Sequence, residues 1–362
     1  MDDRRSGAFG TRSKMIRRGC PVWSRLNLLR AGSFCLLPGL ILAMAGCTQP
    51  VATTGRDATT QAASSSAAST QPGTKWTVDQ LKQAVAPVRA GRKLTPQKWP
   101  NKARVAVCLS FDIDNESPTL AQGITLPVPL SGEEYGATVG LPRVLALLDR
   151  EKLPASFYLP AVSGILAPDM VPQIMKSGRH EIGVHGWIHE DLPALNNAAE
   201  EERLLQQVVD YVTKTTGKRP VGNRAPSWAF SNFTIDLLRK ANFEYDTSLM
   251  AMDEPYELVS NGQATGMVEL PVDWIQDDGL YFGVTGTMPS AELVFQTFRE
   301  EFDRAYQEGT MFMLTMHPHI VGHRSRIGHL EKLIAYMKSK PGVWFATGQQ
   351  IAEFVAPAAR TK

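Results

Sequence analysis

Two histidines separated by three residues, His185 and His189, have a spacing that zinc can use, because it brings both imidazoles together on a helical turn. Gly186 between them favours a tight turn or the start of a helix over a helix interior. Seven histidines placed at random give about 0.14 pairs of this spacing. The chain has a second pair, His319 and His323, so spacing alone leaves both open. The second follows Pro318 in an expected loop, with Arg324 and Arg326 beside it to repel a cation. Asp112 and Asp114 close an apolar run at 105–111. Alternate strand residues share a face, which places these carboxylates on one side about 7 Å apart. One can ligate a metal while the other acts as general base; singly, they also read as loop acids at a solvated strand end.

Three further clusters follow apolar runs: Arg224 and Trp228 around Pro226, Asp273 and Trp274 with Asp277 and Asp278 just after, and His317 behind Leu314. Each has an ordinary explanation as an ion pair, a packing indole or a core histidine. Their recurrence at successive strand ends is what points to chemistry. Strand-like runs are expected at 105–111, 155–159, 181–184, 267–272, 311–316 and 343–345, and helices at 141–150, 168–177, 198–216, 233–242, 291–308 and 327–339. The helix at 198–216 has Asn197 as N-cap, Glu200 three residues on and Gly217 at its end. This alternation predicts an α/β fold, a distorted (β/α) barrel of about seven parallel strands, with its chemistry at the strands' C-terminal ends.

The chain has 362 residues, 43% hydrophobic and 20% charged, within the ordinary globular range. Its net charge of +2 hides a basic leader, since residues 1–46 hold eight Arg or Lys against Asp2 and Asp3. The remainder is acidic and offers no basic stripe for nucleic acid. An apolar stretch at 31–45 suits a signal-peptide core, and Leu42-Ala43-Met44-Ala45-Gly46-Cys47 resembles a bacterial lipobox, with Cys47 as the lipidated residue. Met44 departs from the usual leucine-like residue. The expected organisation is a signal peptide at 1–46 and a flexible Ser/Thr/Ala/Gln linker at 47–75. An N-terminal extension at 76–102, a catalytic domain at 103–356 and a tail at 357–362 follow. Cys108 sits alone in an apolar run and reads as a buried strand residue.

Residues 103–354 resemble the polysaccharide deacetylase family (carbohydrate esterase family 4, the chitooligosaccharide-deacetylase homology domain). Asp112 and Asp114 stand where the family has its two-aspartate motif, and His185 and His189 where it has its histidine pair. Arg224 and Pro226 match the arginine motif, Asp273-Trp274 the aspartate–tryptophan motif, and Leu314 with His317 the leucine–histidine motif. The resemblance implies a zinc-like divalent metal on Asp114, His185 and His189. It also implies Asp112 as base, Arg224 holding it, His317 as acid, and Asp273 keeping His317 cationic. Trp228, Trp274, Asp277 and Asp278 would line the substrate. Ile113 between the aspartates, together with Gly140, Pro142, Arg143, Tyr245, Asp246 and Ser248, is similar to a subgroup of peptidoglycan-deacetylase-like proteins and metal-dispensable allantoinases or cyclic imide hydrolases. That subgroup often has arginine where this chain has His323.

Three functions are therefore in view. The first is de-N-acetylation of an envelope or extracellular amino-sugar polymer, by an enzyme exported and tethered to a membrane through its lipid. The second is hydrolysis of a small amide, ureide or cyclic imide. The third is a non-catalytic glycan- or metal-binding lipoprotein, for which Asp112 and His317 would be superfluous. Homo-oligomerisation is compatible with all three.

Overall fold

A computed structural model of the protein describes residues 72–284 and 288–360. The expected signal peptide, Cys47 and the linker up to residue 71 lie outside the described residues. No helix among the described residues is long and apolar enough to cross a membrane.

The strands are β1 (Arg89–Lys93), β2 (Val105–Asp112), β3 (Ser156–Leu159), β4 (Glu181–Val184), β5 (Gly222–Asn223), β6 (Tyr245–Asp246), β7 (Tyr256–Ser260), β8 (Gln263–Glu269), β9 (Met311–Met316) and β10 (Val343–Phe345). Eight of them run parallel, seven in the spatial order β9-β2-β3-β4-β5-β6-β8 and β10 beside the start of β2. They form a curled, half-barrel sheet, as the alternation of runs predicts. β9 takes one edge of β2 along Ala106–Phe111, so β10 at Val105–Val107 and β3 at Ser110–Asp112 share the other. A parallel bridge between Asp277 and Thr315 draws the chain after β8 onto β9. Beyond β8 the sheet continues antiparallel through β7 to β1. Asn261 and Gly262, both at positive φ (49° and 79°), make the tight turn between β7 and β8 that suits the strands' twist.

Strand alternation sorts the side chains into two cores. Val105, Val107, Leu109 and Phe111 of β2 face the larger cluster under the helices. Ala106 and Cys108 face the sheet's inner side, with Tyr158, Tyr245, Met311 and Met313. On that inner face β2 runs Ala106, Cys108, Ser110, Asp112: apolar at the bottom, ionisable at the C-terminal rim. The Cys108 thiol is fully buried, 3.8 Å from the Ser156 hydroxyl, and burial pushes it up to about 12.

Helices on the outer face match the apolar periodicity. Ala198–Thr216 begins where the Asn197 side chain accepts the Ala199 and Glu200 backbone N–H groups, and ends at Gly217 with φ 73°. The short strands β5 and β6, as well as β1 and β7, are additions to the sequence reading. The helix Gly348–Arg360 is another. It runs through Pro357 to a buried Ala359, so 357–360 belong to the folded body and not to a tail.

Candidate active site

The residues with chemistry meet at the C-terminal rim because each continues the inner-face parity of its strand. Asp112 ends β2, and Asp114 follows two residues on; both are buried. His185 follows β4, and His317 follows β9. His189 lies in the loop after His185, and not on a helical turn as its spacing suggests. Gly186 takes φ 76°, where an added Cβ would stand 2.7 Å from Pro226, and His189 itself takes φ 63°. The Glu190 carboxylate holds this bend by accepting the Trp187 and Ile188 N–H groups.

Asp114 presents its two oxygens to the two imidazoles, with Oδ1 3.5 Å from His185 Nε2 and Oδ2 3.9 Å from His189 Nε2. The ligand atoms of these three residues all lie within 4.8 Å of one another. His185 Nδ1 sits 2.7 Å from the Arg224 carbonyl oxygen, so Nδ1 carries the proton and the lone pair on Nε2 faces Asp114. Burial holds His185 below its ordinary value despite Asp112 and Asp114, and brings His189 down to about 4, which keeps both rings neutral. Asp114 Oδ1 is buried with no hydrogen-bond partner. A carboxylate oxygen without a donor, beside two neutral nitrogen lone pairs, fits a divalent cation of the zinc type.

Asp112 is held differently. Arg224 Nη1 donates to its Oδ1 at 2.7 Å and to Ser110 Oγ at 3.0 Å, while Nε and Nη2 donate to Thr247. Oδ2 of Asp112 is 3.8 Å from His185 Nε2 and 4.0 Å from His317 Nε2. Across the cleft, Asp278 accepts both the backbone N–H and Nδ1 of His317, the latter at 2.7 Å, and leaves Nε2 3.5 Å from Asp114 Oδ2. Burial would lower His317, but Asp278, Asp277 and Asp114 raise it well above the ordinary imidazole value.

Two expectations are corrected here. Asp273 does not support His317; its carboxylate accepts the Ile275 N–H at 2.8 Å and caps a short helical turn. Asp278 takes that role, and being fully buried behind His317 it does not line a substrate. Strand parity and the aspartate–tryptophan motif carry no signal for this exchange, because it is set by the loop after β8 bridging to β9 at Asp277. The second histidine pair does not converge: His323 stacks on Tyr135 with ring centroids 4.2 Å apart, whereas His319 lies edge-on to His317. Asp277, Trp228 and Trp274 do border the cleft, which encloses about 600 Å³. The two indoles stack at 4.2 Å, Trp228 buried and Trp274 41% exposed. Ser110, Thr247 and Ser248 belong to the site as well, Ser248 Oγ accepting the Ala225 N–H.

The polysaccharide deacetylase family model matches residues 134–245. A peptidoglycan deacetylase of Helicobacter pylori is 30% identical over 69% of this chain and 95% of that protein. The crystal structure of a candidate polysaccharide deacetylase from Mycobacterium smegmatis superposes with a TM-score of 0.68 at 32% identity, covering 75% of this chain and 97% of that one. The chain belongs to the polysaccharide deacetylase family. It is therefore a hydrolase of carbon–nitrogen bonds other than peptide bonds, in a family of carbohydrate de-N-acetylases. An allantoinase structure shares the fold at 23% identity, with a TM-score of 0.67 over 76% of this chain and 100% of that one. In this polysaccharide deacetylase family member, the aspartates, histidines and arginine expected from the motifs all reach one rim; only the carboxylate behind His317 changes.

Proposed function

We propose that this enzyme removes the N-acetyl group from amino-sugar units of a cell-envelope glycan, with a zinc-type divalent metal on Asp114, His185 and His189. The observation that carries this reading is the division of labour at the rim. Asp114 has an unpartnered oxygen facing two neutral imidazoles, Asp112 is clamped by Arg224, and His317 is clamped by Asp278. A divalent ion bound there supplies Lewis acidity to water and to the amide carbonyl. Asp112 accepts a proton from the attacking water through Oδ2, the oxygen that Arg224 leaves free. Arg224 keeps that carboxylate ionised and aimed. His317 donates a proton from Nε2 to the departing amine nitrogen, which is too basic to leave as an anion. Trp228 and Trp274 present a flat apolar face at an exposed edge of the cleft, which suits a sugar ring within a longer chain.

Acetate release from N-acetylated chitooligosaccharides and peptidoglycan fragments tests the reading, measured beside ring opening of a hydantoin-type substrate. Acetate release alone is expected; ring opening without it would transfer the site to small cyclic amides. Export and lipid anchoring complete the proposal, supported by the apolar stretch at 31–45, the lipobox-like residues and the polar linker. Cys47→Ser is expected to abolish incorporation of labelled fatty acid into the enzyme.

A further inference from the structure

Arg224 is fully buried, and its guanidinium lies over the ring of Tyr158, with Cζ 4.2 Å from the ring centroid. Hydrogen bonds to Asp112, Ser110 and Thr247 fix the guanidinium within its plane. None of them fixes it along the perpendicular. The Tyr158 ring does, and that ring is itself locked. The Tyr245 hydroxyl donates to Glu181 Oε1 at 2.6 Å, so the Tyr158 hydroxyl, 3.0 Å away, donates to Tyr245. Glu181 is anchored in turn by the Ser156 hydroxyl and by the Gln349 N–H at the start of the last helix. Burial, with Glu181 nearby, raises both phenols well above their ordinary value, so both remain donors.

The sheet makes room for this column. A Cβ on Gly183 would stand 2.7 Å from the Tyr158 ring, and one on Gly222 would overlap the Tyr245 ring. A file of contacts thus runs through the inner face, from Glu181 at the N-terminal end of β4 to Asp112 at the C-terminal end of β2. A π-face under a desolvated guanidinium also offsets part of the cost of burying its charge.

We propose that Tyr158 is a positioning residue for the deacetylase reaction: its ring, held by Tyr245 and Glu181, seats Arg224 and thereby aims Asp112. This rests on the role given above to Asp112. The Tyr158 backbone pairs with β2 beside Asp112, its carbonyl accepting the Ile113 N–H, but its side chain points to Arg224 and is not part of the cleft lining. A change in the ring alone therefore falls on turnover and not on substrate affinity or metal content.

The test weakens the ring's face without changing its shape, in the purified full-length enzyme. Tyr158→Phe keeps the face but loses the bond to Tyr245 that holds it, so its kcat serves as the reference for the series that follows. Replacing that phenylalanine with its mono-, di- and trifluorinated analogues withdraws charge from the face stepwise. Across the series kcat is expected to fall about tenfold in order of fluorination, with KM, zinc content and Tm unchanged. A flat series overturns the proposal, as does a loss in which KM or Tm moves in parallel. Rotation of the Arg224 guanidinium, followed by ¹⁵N exchange spectroscopy, gives a second readout independent of any substrate. It is expected to quicken along the same series, and an unchanged rate overturns the proposal even if no acetate is released. Whether the unaltered enzyme releases acetate decides the proposed function separately.

Discussion

Asp112 and Asp114 are chemically identical side chains two residues apart, and their surroundings drive them in opposite directions. Burial raises Asp114, and His317 and His185 offset it only in part. Burial would raise Asp112 too, but the Arg224 guanidinium, with His185 and His317, holds it below the usual carboxylate range. The difference lies in one contact, the 2.7 Å bond from Arg224, which Asp114 lacks. Asp112→Asn keeps that contact's shape but cannot take a proton. It is expected to retain zinc, measured by atomic emission, and to lose about 100-fold or more in kcat. The same logic separates two other aspartates. Asp278→Asn is expected to cost about 100-fold in kcat by weakening the hold on His317, whereas Asp273→Asn, still able to cap the Ile275 N–H, stays within about threefold. Equal losses from both variants would return the supporting role to Asp273. Much of this scale was legible in the sequence, since residue type and motif order single out Asp112, Asp114, His185, His189, Arg224 and His317. What it lacked was the partner of His317, because several aspartates within six residues carry no label for which one a loop will bury.

Elements decide which side chains reach the rim. The long strands β2 and β9 announce themselves by unbroken apolar runs, and the helices by their period and caps. β5 and β6 do not, since two residues cannot show a period. Polar side chains fill the sheet around them. Asn223 Nδ2 donates to Asp246 Oδ1 at 2.6 Å, and Glu269 accepts the Ser248 and Leu249 N–H groups at the end of β8. Asp246 Oδ2 and Glu269 Oε2 are both buried without a hydrogen-bond partner, which leaves two carboxyls facing the cost of burial. Burial pushes Asp246 up to about 6 and Glu269 well above the ordinary range. A carboxyl whose folded-state pKa is raised contributes stability that is full below the unfolded value, about 4, and is lost as pH rises through the folded value. Thermal melts are therefore expected to show Tm falling by a few degrees between about pH 5 and pH 8. Glu269→Gln, which removes one of the two buried titrating carboxyls, is expected to flatten that slope. An equally steep slope in the variant would place the pH dependence elsewhere.

At the scale of the whole molecule, the rim is assembled from distant parts of the chain, with Asp114 after β2, the two histidines after β4 and His317 after β9. A metal on Asp114, His185 and His189, as proposed, would tie two of these segments together, so its removal would be felt in stability as well as turnover. Dialysis against a chelator is expected to abolish acetate release and lower Tm, with both restored by zinc. His185→Ala is expected to reproduce the metal-free enzyme, and His319→Ala to bind zinc at the unaltered stoichiometry. The opposite pattern would move the metal to the second histidine pair. The parallel, curled architecture was readable from the alternation of runs. The antiparallel margin of β1 and β7 was not, because β1 at the edge is a short, basic run that resembles a loop and β7 mixes buried Tyr256 and Leu258 with Glu257 and Ser260 over only five residues.

Cys108 carries one further consequence. Between Gln49 and the C-terminus it is the single thiol in the chain, and the sheet encloses it in a protonated form. Without thiolate it neither exchanges with disulfides nor coordinates stray soft metals. The folded body is thus indifferent to whether its surroundings are oxidising or reducing. A cysteine introduced at the exposed edge of Trp274 would be the only group in a chain begun at Gln49 to accept a maleimide dye. The cleft could then be watched through one label, with no background to subtract.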